Sequence, residues 1–280
     1  MNDFRADLHC HSTCSDGTLT PTEIIHLAKS KNLTGLSITD HDTIGAYTEA
    51  VSVANSLQFP LISGAEFSSV HEQTNVHILA YGFSLESKII HDFCYKHCSR
   101  RTLRNQTILD LLKMHGMPID ELDLKESTPH AIIGRPHIAL AMMKKGYVTS
   151  IQQAFHLYIG EGKSCYHPGQ KVSVEETLDI IHQAKGLAII AHPHLIQNVS
   201  TVKRLLDMNF DGLEGYYARF HANQNERWIK IAQNKNWLIT GGSDFHGTIK
   251  PTLPLGSSWV NQETFSILLD HFKSNQVTPA

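Results

Sequence analysis

Nineteen histidines stand in a chain of 280 residues, and several stand in patterns that suit a metal ion. His9-Cys10-His11 puts two imidazoles at positions i and i+2. In an extended segment such residues point to one side, so both rings can reach one cation while Cys10 points away. Asp244-Phe245-His246 repeats the spacing far along the chain, and Asp40-His41, Glu66, His77, His192-Pro193-His194 and Glu214 lie between. Imidazole nitrogens and carboxylate oxygens are the donors that zinc, manganese and iron accept. A lone His-x-His is an ordinary surface or core pair, whereas the ordered set is specific to a polynuclear site. Asp16-Gly17 reads as a turn, and a turn can also aim Asp16 at a metal. Cys14 is the other donor in that loop, but its neighbours fit the turn better.

The elements that must position these residues follow from periodicity. Phe4 to Leu8 reads as a strand ending at His9. Thr20-Pro21-Thr22-Glu23 is a helix start, with Thr20 as cap, Pro21 in the first turn and Glu23 completing a capping box. Strands are predicted near 33–38, 59–62, 75–83, 187–191, 212–215 and 237–240, with helices near 46–57, 174–184, 202–208, 223–234 and 263–273. Asp40 and His41, Glu66, His192, and Asp244 with His246 each follow a strand. In α/β barrels the active site lies at the C-terminal strand ends, so residues distant in sequence converge on one rim. The β-then-α repetition predicts α/β architecture with a parallel sheet or barrel. It lapses between 85 and 164, where a helix-like stretch carries Arg100, Arg101, Arg104, Lys144 and Lys145. The expected organisation is therefore a catalytic barrel over 1–84 and 165–280, with a helical insertion over 85–164.

Composition narrows the classes. A net charge of −3 excludes a global basic surface for nucleic acid. Five unevenly spaced cysteines do not read as a disulfide framework, and Cys94 and Cys98 read as core-facing. The first residues lack an apolar signal region, and no run approaches the roughly 18 apolar residues of a membrane span. A cytoplasmic protein with no membrane and no obligate protein partner is the expectation. His71, His91, His97, His115, His130, His156, His167, His182 and His221 match no ligand position and read as structural or exposed. The aromatic run of Tyr216, Tyr217, Phe220 and Trp228 reads first as core packing, although such a wall would also suit a base.

With Asp7-Leu8-His9-Cys10-His11-Ser12, Ser15-Asp16-Gly17, Thr39-Asp40-His41-Asp42, Gly64-Ala65-Glu66, His77, Ala191-His192-Pro193 and Gly242-Ser243-Asp244-Phe245-His246, the sequence resembles the PHP (polymerase and histidinol phosphatase) family. The resemblance implies a distorted (β/α)7 barrel holding two or three divalent ions, manganese above all, with zinc, iron or magnesium as alternatives. It implies that His9, His11, Glu66 and Asp244 hold one ion and that Asp16, His41 and His246 hold a second. Glu66 would bridge to a third, held also by His77 and His192. Asp40 and Glu214 are expected to support ligands rather than to ligate. Gly134-Arg135-Pro136-His137 and Gly162-Lys163 resemble the branch that hydrolyses the 3′-phosphate of 3′,5′-nucleoside bisphosphates, some members of which degrade short RNA from the 5′ end. Where that branch reads Gly-Lys-Pro before its Tyr, this chain reads Gly162-Lys163-Ser164-Cys165-Tyr166.

The expected reaction is attack on phosphorus by metal-activated hydroxide. Arg135 would grip phosphate as a fork, Lys163 would add a point charge, and His137 would touch substrate. His192, His194 or His246 would protonate the leaving oxygen. The alternative is a small-metabolite phosphatase, such as one for histidinol phosphate.

Overall fold

The computed structural model describes residues 4–125 and 132–276. His130 and the rest of 126–131, part of the expected insertion, lie outside the described residues. The chain forms two compact units, Met1–Cys94 with Val172–Ala280, and Tyr95–Lys171. The strands are β1 (Ala6–Asp7), β2 (Gly35–Leu36), β3 (Gly64–His71), β4 (Thr74–Tyr81), β5 (Leu187–Ile190), β6 (Gly212–Tyr217) and β7 (Leu238–Gly242). The helices are α1 (Pro21–Ser30), α2 (Tyr47–Ser56), α3 (Lys88–Met114), α4 (Glu121–Lys125), α5 (Arg135–Lys144), α6 (Ile151–Ala154), α7 (Val174–Gln183), α8 (Val199–Leu206), α9 (Ala222–Lys235) and α10 (Gln262–Gln276). None is long and apolar enough to cross a membrane.

The first unit is a mixed α/β fold. Its larger sheet has the order β3-β4-β5-β6-β7. The β5-β6-β7 part is parallel, and β4 pairs antiparallel with both β3 and β5. The sheet buries both faces, which is why β5 is apolar throughout. Ile190 packs in a cluster with Phe67, Leu178 and Trp228, while Ile189 packs with Leu8, Tyr81 and Phe265.

Continuous ladders do not close a (β/α)7 barrel. β1 and β2 form a separate two-stranded parallel sheet. Isolated bridges tie it to the rest, Leu36–Leu61 and His41–Glu66 on one side and Cys10–Phe245 on the other. The physical reason lies in the ligand-bearing segments. Past Asp7 the backbone N–H groups of His9 and Ser12 donate to the carboxylates of Asp7 and Asp40 instead of to a neighbouring strand. The predicted strand at 59–62 shrinks to the Leu61 bridge, and the strand proper begins at Gly64. It turns directly into β4 through a hairpin, so no helix separates Glu66 from His77.

The second unit is helical. The described part of its core gathers Ile108 and Leu112 from α3, Ile138 and Met142 from α5, and Ile159 and Cys165. A π-helical turn, Phe155–Ile159, follows α6 and ends where the Gly160 N–H donates to the Phe155 carbonyl at 3.0 Å. Such turns displace side chains from helical register.

Candidate metal centre

Glu66 stands third in β3 at an almost completely buried position, and five imidazoles face its two oxygens. Oε2 lies 3.3 Å from His9 Nε2, 3.2 Å from His11 Nε2 and 3.2 Å from His41 Nδ1. Oε1 lies 2.9 Å from His77 Nδ1 and 2.8 Å from His192 Nε2. Asp244 Oδ1 adds a second carboxylate, 3.6 Å from His9 Nε2 and 3.4 Å from His11 Nε2. Asp16 Oδ1 stands 3.3 Å from His246 Nε2, and its Oδ2 stands 3.9 Å from His41 Nε2.

These donors form four overlapping groups whose ligand atoms lie within 4.8 Å of one another: His11, Asp16, His41 and His246; His9, His11 and Asp244; His9, Glu66 and His192; His41, Glu66 and His77. Every residue expected to ligate falls in at least one of them. The groups share His9, His11, His41 and Glu66, and His77 and His192 both face Glu66 Oε1.

The donor set fits divalent cations on a specific observation. His9 Nε2, His11 Nε2 and His41 Nδ1 are buried and make no hydrogen bond, although each is within 3.3 Å of a carboxylate oxygen. Buried polar nitrogens normally find partners. Here nitrogen and oxygen lone pairs converge without hydrogen-bond direction, which is the arrangement a cation satisfies. Burial alone would raise the carboxyls of Glu66, Asp16 and Asp244. The imidazoles around them, and Lys250 beside Asp244, outweigh it and hold all three well below the ordinary range. Ionised oxygens are the form that ligates.

The supporting residues explain how the donors stay aimed. Glu214, fully buried, accepts from the His192 backbone N–H at 2.7 Å and faces His9 Nδ1 at 2.9 Å. One carboxylate thus fixes one ligand's ring and another's backbone. Asp40 does not reach the donors: it accepts from Ser12 and Ser15 and so shapes the loop that carries His11 and Asp16. Asp244 and His192 both take positive φ, 53° and 25°, a strained backbone for residues with side chains.

Three further side chains hold the donors in place. Asp7 accepts from the backbone of His9 at 3.1 Å and of Ser243 at 3.0 Å, which clasps the two ligand-bearing ends of β1 and β7. Burial pushes the Asp7 carboxyl up to about 6, against four hydrogen bonds that favour its charge. Tyr217 Oη and Lys250 Nζ both donate to Asp244 Oδ2 at 2.8 Å, which leaves Oδ1 for the metal side. Tyr217 gets there through a β-bulge between Glu214 and Tyr216. In a regular strand residues 214 and 217 would face opposite ways.

The other expected site residues lie elsewhere. His194 belongs to no donor group; its ring stacks on Phe220 at 5.0 Å and 14° and packs against Tyr217 and Trp228. In the helical unit His137 is buried, and its Nδ1 accepts from the Gly134 N–H at 2.8 Å, which fixes the start of α5. Arg135 lies with its guanidinium over Phe155 at 5.8 Å and Tyr166 at 5.3 Å. Among the described residues it forms no ion pair, and burial lowers its pKa. Lys163 follows in the Gly160–Gly162 turn, its N–H donating to the Gly160 carbonyl.

Comparison with known proteins agrees with the geometry. The PHP domain profile matches residues 7–236. A 5′-3′ exoribonuclease of Haemophilus influenzae is 32% identical over 245 residues, covering 86% of this chain and 89% of that one. A 3′,5′-nucleoside bisphosphate phosphatase of Chromobacterium violaceum is 28% identical over 253 residues, covering 86% of each. The crystal structure of a candidate metal-dependent phosphoesterase from Bifidobacterium adolescentis superposes with a TM-score of 0.86 at 29% identity, covering 95% of this chain and 96% of that one. With its buried His/carboxylate cluster and a match over most of its length, the chain belongs to the PHP domain family and is a metal-dependent hydrolase of phosphate esters.

Proposed function

We propose that this enzyme removes the 3′-phosphate of 3′,5′-nucleoside bisphosphates and acts on short RNA from its 5′ end, with two or three manganese ions in the Glu66 cluster. The observation that carries the substrate reading is Arg135. A half-buried guanidinium that lies over two aromatic rings, with Arg101 and Glu161 as its charged neighbours and burial disfavouring its charge, is suited to an incoming anion. A substrate with a second phosphate supplies one. Lys163 adds a positive charge, and His137 holds Gly134 and Arg135 in place. In this reading the helical stretch 85–164 contributes phosphate contacts to a substrate of the catalytic part formed by 1–84 and 165–280.

Divalent ions, when bound, supply Lewis acidity and activate water at neutral pH. The chain's own residues supply aim. Glu66 spans the donors, Glu214 fixes His9 and the His192 backbone, and Tyr217 with Lys250 fixes Asp244. His246 Nε2 faces Asp16, and His192 Nε2 faces Glu66. His194 is committed to an aromatic cluster and is not proposed as the proton donor.

The test is phosphate release from 3′,5′-adenosine bisphosphate by manganese-loaded protein, beside AMP, a short 5′-phosphorylated RNA and histidinol phosphate. Preference for the bisphosphate, abolished in His9→Ala, supports the reading, and preference for histidinol phosphate overturns it. Arg135→Ala is expected to cut kcat/KM for the bisphosphate by at least tenfold, on the order of one lost charge-assisted phosphate contact, while metal content stays unchanged. Loss of metal in that variant would remove Arg135 from substrate binding.

A further inference from the structure

Beside the metal centre, between α8 and the start of α9, lies a groove of about 410 Å³. His192 is a donor to the cluster, and the next two residues, Pro193 and His194, line the groove. Tyr217 joins the two places: its ring lies 5.6 Å from His192 and 5.9 Å from His194, and its hydroxyl holds Asp244.

The groove's chemistry is that of a ring-binding slot. Phe220 is only half-buried and stacks nearly parallel on His194, and Trp228 closes the inner side. The His194 ring lies at 14° to Phe220 and packs tilted against Tyr217 and Trp228, so it forms a flat slab. Amide side chains of Gln197, Asn223 and Gln224 and the guanidinium of Arg227 stand around it. They supply donors and acceptors, and no carboxylate lines the groove to repel a phosphorylated ligand. Two other depressions among the described residues lack this combination. One carries Asp110, Asp120 and Glu121, and the other lies between α2 and α10, whose residues supply no metal donor.

We propose that this groove, with Phe220 as its stacking face, binds the base of a nucleotide whose phosphate is at the metal centre. This rests on the nucleotide reading above and adds to it the residues that would make the enzyme prefer a nucleotide over a bare sugar phosphate. Stacking is tolerant of base identity, so purine and pyrimidine substrates are both accepted, the larger ring system more tightly.

The experiment compares 3′,5′-adenosine bisphosphate with base-free ribose 3,5-bisphosphate. In Phe220→Ala the ratio of their kcat/KM values is expected to fall roughly tenfold, the usual loss for one stacked base. Phe220→Tyr restores it, which separates stacking from misfolding. An unchanged ratio in Phe220→Ala overturns the proposal. A second readout needs no turnover. AMP added to metal-free protein is expected to quench Trp228 fluorescence, and the quench is expected to be lost in Phe220→Ala and in Trp228→Phe. If the unsubstituted protein hydrolyses neither bisphosphate, the nucleotide reading fails, and the quench alone decides the groove: its absence rejects the subsite.

Discussion

A carboxylate that faces five imidazoles has no isosteric substitute. Glu66→Gln keeps the shape but replaces one oxygen with an amide donor that points at lone pairs, so bound metal is expected to be lost outright, as read by elemental analysis. Glu214→Ala tests the supporting layer. It frees the His9 ring and the His192 backbone together, and metal affinity is expected to fall about 10- to 100-fold by chelator competition, with the circular dichroism spectrum unchanged. At this scale the sequence was informative about donors and nearly silent about what holds them. His9 with His11 and Asp244 with His246 are visible because a two-residue spacing has a direct geometric meaning. Tyr217 and Lys250 are not, because the one depends on a bulge and the other on a loop after β7. Asp7 stands in the quoted motif, yet one of its partners is Ser243, 236 residues away.

The elements convert that chemistry into position, and small irregularities carry most of the load. Without the bulge in β6, Tyr216 would occupy the inward place that Tyr217 takes, and Asp244 Oδ2 would lose one of its two donors. Gly242, at the end of β7, is where the two ligand-bearing strands come nearest. A Cβ there would lie 2.4 Å from the backbone nitrogen of His9 and 2.4 Å from its Cβ. Gly242→Ala is therefore expected to destabilise the fold by more than about 2 kcal/mol in urea titration and to lower metal affinity at once. Regular elements were legible: the Thr20 cap with Pro21 and Glu23 forms α1 as its pattern predicts, with the reciprocal bonds in place. The long helix-like stretch resolves in part into α3 and α5. The alternation of Val76, Ile78 and Ala80 fits an antiparallel strand, as β4 is, but the β3–β4 hairpin was not recognised in it.

For the molecule as a whole, metal and stability are linked. The first unit buries Glu66, Asp244 and Asp16 among imidazoles, and an ion that binds only the folded state adds to its stability. At one hundred times the dissociation constant each site contributes about 2.7 kcal/mol. Chelation is accordingly expected to lower the melting temperature in a concentration-dependent way, and the same chelator is expected to leave Glu66→Gln almost unmoved. A metal-independent melting temperature in the unsubstituted protein would refute this linkage.

The clasp between Asp7 and Ser243 has a further meaning for how the protein is made. His9 and His11 are polymerised well before Asp244 and His246, the donors furthest along the chain. At about 5–20 residues per second, His9 and His11 wait on the order of ten to fifty seconds for their partners. Throughout that interval a nascent chain displays the His-x-His pair without its Asp244 and His246 partners. The group of His9, His11 and Asp244 is thus completed late, and a ribosome that stalls before residue 243 leaves a fragment without Asp244, His246 and the Ser243 clasp.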